Sequence, residues 1–134
     1  MGAWGCGPFD NDTAGDFLAE LERTDDTPGR LHKVLSQVVD APERVDAVDG
    51  DRAAAAAALV AIHYAGLDVD PELADDLAAL VFDCPEDLAA LAGRAFARLL
   101  DPTDNEWHDL WVRSNGLDEM AAELEPFRRA VARP

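Results

Sequence analysis

Apolar residues recur along this chain at intervals of three and four, the period that gathers them on one side of an α-helix, and almost nowhere at the two-residue interval of a strand. The first stripe is Ala14, Phe17, Leu18 and Leu21. It follows Asp10, Asn11 and Asp12, short polar side chains suited to capping a helix start, and Asp16 adds negative charge near the positive end of the dipole. Thr27 and Pro28 read as cap and first residue of a second helix with Leu31, Val34, Leu35 and Val38 on one face, ending near Ala41 and Pro42. A polar linker, DAPERVDAVDGD, then precedes a third helix expected from near Asp51 through six consecutive alanines to Gly66. Asp70 and Pro71 open a fourth with Leu73, Leu77, Leu80 and Val81 on one side. Cys84 and Pro85 open a fifth with Leu88, Leu91, Ala92, Ala95 and Leu99, stopped by Asp101 and Pro102. Thr103 with Glu106 is a capping-box pattern for a sixth, which carries Trp107, Leu110 and Trp111 and breaks at Asn115 and Gly116. The last helix carries Leu117, Met120, Leu124 and Val131, and Pro126 is expected to kink or split it.

The pattern predicts an all-α fold, a compact irregular bundle of about six or seven helices behind a glycine-rich N-terminal anchor segment. At 134 residues, with no repeat or flexible linker, residues 1–134 are expected to form a single domain.

Charge changes the picture of what such a bundle meets. The chain has 11 basic and 28 acidic residues, a formal net charge of -17, which repels nucleic acid and anionic membrane surfaces and favours a basic protein or a cation as partner. Cys6 and Cys84 lie far apart, without the close-spaced partners of a disulfide framework or zinc site. The most apolar stretch, Ala53 to Leu67, is too short and alanine-rich to span a bilayer, and a signal peptide pattern is missing from the N-terminus. A reduced, cytoplasmic setting is the expectation.

The opening GAWGCGPFDNDTAGDF concentrates glycines, aromatics and carboxylates. As a phosphate cradle it lacks a preceding strand and a following lysine, and Asp10, Asp12 and Asp16 would repel the anion. As a calcium loop it lacks the central glycine and terminal glutamate of the twelve-residue pattern. The reading that remains is structural: Trp4 and Phe9 insert into the helical core, Gly5 and Gly7 permit tight turns, and Asn11 or Asp12 caps the first helix, with Asp16 beside it. Cys6 reads as incidental rather than as a nucleophile.

Gly2, Ala3, Trp4, Gly5, Gly7, Phe9, Asn11, Asp12, Ala14, Asp16 and Phe17 follow a GAWG-x-G-x-F-x-N-D-x-A-x-D-[FW] pattern. In this the chain resembles the bacterial domain-of-unknown-function family 4259. The C-terminal NEWHDLWVRSNGLDEMAAEL is similar to that family's Trp-bearing helix and final helix. The resemblance implies a bacterial cytoplasmic protein and brings no catalytic residues with it.

Between residues 68 and 87 stand eight acids and no lysine or arginine: Asp68, Asp70, Glu72, Asp75, Asp76, Asp83, Glu86 and Asp87. They read as a solvated helix face or, functionally, as a docking surface for a basic partner. His32, His63 and His108 sit in separate helices with no His-x3-His pair, so each is expected to be a partly buried packing residue, and Trp107 with Trp111 one turn on reads as core. No catalytic, cofactor-binding or metal site is assigned. The leading expectation is a non-enzymatic interaction module of immunity or antagonist type. The alternatives are a small hydrolase or ligand-binding enzyme built on Cys6, His63 or a carboxylate cluster, and a helical oligomerisation module.

Overall fold

The alanine run of the third segment decides the architecture. In the computed structural model, which describes residues 7–132 apart from Pro42, Asp70 and Ala79, residues 53–61 are all buried, on every side of their helix. A helix that is apolar all round must be central, and alanine methyls let its neighbours approach closely. That helix, α3 (Ala47–Ala65), packs against α1 (Asp12–Glu22), α2 (Thr27–Val39), α5 (Glu86–Leu99), α6 (Glu106–Arg113) and α7 (Leu117–Val131). The short α4 (Pro71–Leu77) completes seven helices among the described residues and has no helix partner comparable to those of the other six. The expected all-α bundle is present, and outside its helices an isolated parallel bridge joins Val45 to Asn105.

The stripes read from the sequence form the core: Ala14, Phe17 and Leu21 of α1, Leu31, Val34, Leu35 and Val38 of α2, Leu88, Leu91, Ala92, Ala95 and Leu99 of α5, and Met120, Leu124 and Val131 of α7 are buried. Asn11 caps α1, its Oδ1 accepting from the Ala14 amide at 2.8 Å, and Asp12 follows in the first turn. Gly66 ends α3 in the left-handed conformation, φ 64°, as its position after the last periodic residue led us to expect.

Several boundaries differ from the sequence expectation. The cap of α2 is Asp26, which accepts from the Gly29 amide at 3.0 Å, so Thr27 and Pro28 are both inside the helix. Helix α3 begins four residues early: Asp46 caps it by accepting from the Asp49 amide at 2.8 Å, converting part of the polar linker to helix. Helix α4 stops at Leu77, and although Leu80 is buried, Val81 is 84% exposed rather than on the same apolar side. The cap of α6 is Asn105, not Thr103, and Glu106 leaves the capping box to accept from the Ala47 amide at 3.1 Å. Pro126 does not split α7, which runs unbroken through it. The i−4 carbonyl left without its donor belongs to Ala122, an exposed residue whose carbonyl water can reach, while buried Leu124 and Val131 hold the helix to the core on either side. His32 is exposed, whereas His63 is half-buried and His108 buried.

Candidate functional site

The segment leading into α1 folds on itself first. The Gly7 amide donates to Asp10 Oδ2 at 3.0 Å and the Asp10 amide to the Gly7 carbonyl at 3.1 Å, a turn so close that a Cβ on residue 7 would stand 2.7 Å from Asp10 Oδ2. This turn sets Phe9 half-buried, edge-on to Phe127 of α7 with ring centroids 6.4 Å apart, an arrangement favoured by the ring quadrupoles. Phe9 thus packs against the core from its margin, partly buried. Trp4, Gly5 and Cys6 lie outside the described residues.

At the far end of α3 the chain turns at Gly66 and runs through Leu67, Asp68 and Val69 to α4. Glu72 and Asp76 stand one helical turn apart there, with Leu73 between them. Because α4 stands off from the other helices, a groove of about 560 Å³ remains between it and the facing surfaces of α1 and α7. Its floor is apolar, formed by Phe9, Leu18, Leu73 and Phe127 together with Leu67 and Val69. Its rim carries five carboxylates, Asp68, Glu72 and Asp76 on the α4 side and Asp10 and Glu123 on the other, and among the described residues no basic side chain lines it.

Among the described residues those acids meet no counter-charge within ion-pair distance. The ion pairs among the described residues join Arg30 to Glu20, Arg44 to Glu106, and Arg128 and Arg129 to Glu125, and none engages a groove carboxylate. Arg128 and Arg129, the bases nearest in sequence to the Phe127 wall, both bond Glu125, at 2.7 and 3.0 Å, which pulls its carboxyl below the usual range.

The groove therefore joins two features that were separate in the sequence, the opening motif and the acidic run. It also divides them. Asp68, Glu72 and Asp76 line it; Asp75, Asp83, Glu86 and Asp87 are exposed elsewhere, the last two in the first turn of α5; Asp70 lies outside the described residues. Gly7 and Phe9 line it, whereas Asn11 is occupied as a cap and Asp12 and Asp16 are exposed outside it. Sequence reasoning missed Glu123, Phe127 and Gly15. The first two share a face of α7 at i, i+4, but only the tertiary fold brings that face to the turn at residues 7–10.

A second cluster sits where α3 meets the loop before α5. His63 packs on Phe82 with ring centroids 4.3 Å apart, its Nε2 buried without a hydrogen-bond partner, and burial pulls the imidazole below its ordinary pKa. Cys84 Sγ donates to the Val60 carbonyl at 3.7 Å, and burial pushes its thiol up. Desolvation thus favours the neutral form of each, as packing residues require and a thiolate–imidazolium pair does not. Among the described residues no group of three or more His, Cys, Asp and Glu is placed to hold a metal ion.

Comparison with known proteins shows the family: the chain belongs to the one described as Domain of unknown function (DUF4259), whose model matches residues 2–123. No curated protein and no solved structure matches it.

Proposed function

We propose that this family member is a protein-interaction module that binds a basic partner, in the manner of an immunity or antagonist protein covering a positively charged surface. The observation that carries the reading is the groove: five carboxylates around an apolar floor with no base among its described lining residues. Like charges held together without counter-charge cost the isolated protein some self-repulsion, and a cationic partner relieves it while the field of the whole chain, net -17, steers the encounter. Residues 1–134 act as one domain in this reading, in a bacterial cytoplasm. Among the described residues no helix is long and apolar enough to cross a membrane.

The test separates groove acids from distant acids. The immobilised parent protein and two variants, Asp68→Asn/Glu72→Gln/Asp76→Asn and Asp83→Asn/Asp87→Asn, are exposed to lysate of the native host, and retained proteins are identified by mass spectrometry. A basic protein held by the parent and the distal variant but released by the groove variant, and released from the parent by salt, supports the reading. Equal retention on all three surfaces, or retention of acidic proteins alone, overturns it.

A further inference from the structure

The groove says more about its occupant than its charge. Carboxylates stand on both walls, Glu72 and Asp76 on α4 and Glu123 on α7, with an apolar floor between them. Simple counter-charge would need no floor, and a purely apolar ligand would need no acids. Gly15 of α1 lines the same groove with open space where a Cβ would be, so the helix surface there is bare backbone.

We infer that the groove between α4 and the α1/α7 surface takes an amphipathic helical segment of a partner protein, with an apolar stripe on the floor and lysines or arginines along both edges. This rests on the reading of the protein as a binder of basic partners. Helix-in-groove recognition uses anchors at i, i+3, i+4 and i+7, and the long stems of flanking bases lie over apolar surface while their charged ends reach the rim. The short α4, without a close helix partner of its own, forms the wall against which such a helix completes its packing.

The experiment uses labelled synthetic peptides and fluorescence anisotropy. One peptide places leucine at helical spacing with lysine on both flanks, a second is its scramble of identical composition, and a third is oligolysine. The first is expected to bind at least about tenfold more tightly than the other two. Gly15→Leu fills the open floor without touching any charge, at an exposed helical position where leucine favours the helix more than glycine does, and it is expected to weaken that peptide by about tenfold or more with an unchanged circular dichroism spectrum. As a readout on the unmodified protein, the amides of Gly15, Leu73 and Phe127 are expected to shift on adding the amphipathic peptide. Equal affinity for scramble and amphipath, indifference to Gly15→Leu, or peptide-induced shifts confined to residues 83–87 would overturn the inference while leaving a purely electrostatic docking role standing. If Glu72→Gln/Asp76→Asn also left binding and its salt dependence unchanged, the basic-partner reading itself would fall.

Discussion

The indole Nε1 of Trp107 donates to Asp51 Oδ1 at 3.0 Å, and the ring that carries it passes over Gly50, the residue before. One turn of α3 thus provides both a notch and an acceptor for the principal buried side chain of α6. A Cβ on residue 50 would stand 2.3 Å from Trp107 Cγ and 2.5 Å from its Cβ, the root of the side chain rather than a flexible tip. Gly50→Ala should therefore destabilise the fold. Helix propensity alone favours alanine by about 1 kcal/mol, whereas forcing the ring off its seat costs about 1–3 kcal/mol. Urea unfolding is expected to show a net loss, and a more stable variant would mean that the α3–α6 contact yields freely.

Asp51 itself bears a pH signature. Burial raises its carboxyl above the ordinary 3.8, against the indole hydrogen bond that lowers it. The folded state therefore holds the proton to higher pH than the unfolded chain does, and this group's contribution to stability falls as pH rises from about the ordinary value through the raised one. Asp51→Asn keeps an acceptor for the indole and removes the titration. The stability of the variant minus that of the parent, from urea unfolding between acid and neutral pH, is expected to increase across that window; a flat difference would show that Asp51 is fully solvated.

His63 has the opposite sign. Its folded pKa is lowered by burial below 6.5, so the unfolded chain takes the proton first. Its stabilising contribution is complete above about 6.5 and is lost as pH falls from there to the folded value. His63→Phe keeps a ring against Phe82 and deletes a buried nitrogen that has no partner, so the variant should be at least as stable as the parent at neutral pH and should lose that limb of acid sensitivity. Thermal melts between pH 5 and 8 would expose a mistake if both proteins weakened in parallel.

Asn105 is buried, and its side chain is fully committed. Nδ2 donates to the Leu99 and Asp101 carbonyls at 3.0 Å, and Oδ1 caps α6 by accepting from the His108 amide at 2.9 Å. Asn105→Ala should cost about 1–3 kcal/mol, since a buried carbonyl and the helix cap lose their partners together. Asn105→Asp restores the cap acceptor but turns a second oxygen toward those carbonyls, so it is expected not to rescue the loss. Recovery of parental stability by the aspartate in denaturant melts would assign the whole effect to capping.

How far the sequence reached depended on how local each interaction is. The stripes Leu31/Val34/Leu35/Val38 and Leu88/Leu91/Ala92/Ala95/Leu99 were legible because period alone sets which face is buried. Asn105 hid behind Thr103 because the capping-box pattern sees residues 103 and 106, whereas the actual cap is held by the end of α5, and Glu106 is drawn to the Ala47 amide fifty-nine positions away. The groove was illegible for the same reason. Its acids at 68, 72 and 76 were visible as charge, but their separation from Asp83, Glu86 and Asp87, and their meeting with Phe9, Glu123 and Phe127, exist only in three dimensions.

Pro126 offers the last test, because it is the one place where helix α7 departs from the rule that its own sequence states. A proline there removes the donor that would satisfy the Ala122 carbonyl and crowds that turn, yet the helix continues to Val131. The segment is therefore helical because Met120, Leu124 and Val131 are buried against the core, not because its backbone prefers it. Pro126→Ala restores both the bond and the propensity. An interior proline costs a helix about 3 kcal/mol, part of which is returned by the stiffer unfolded chain, so a gain of about 1–2 kcal/mol in urea unfolding is expected. Loss of stability on the same change would show that the proline ring, which lines the groove beside Phe127, supplies packing worth more than the missing hydrogen bond.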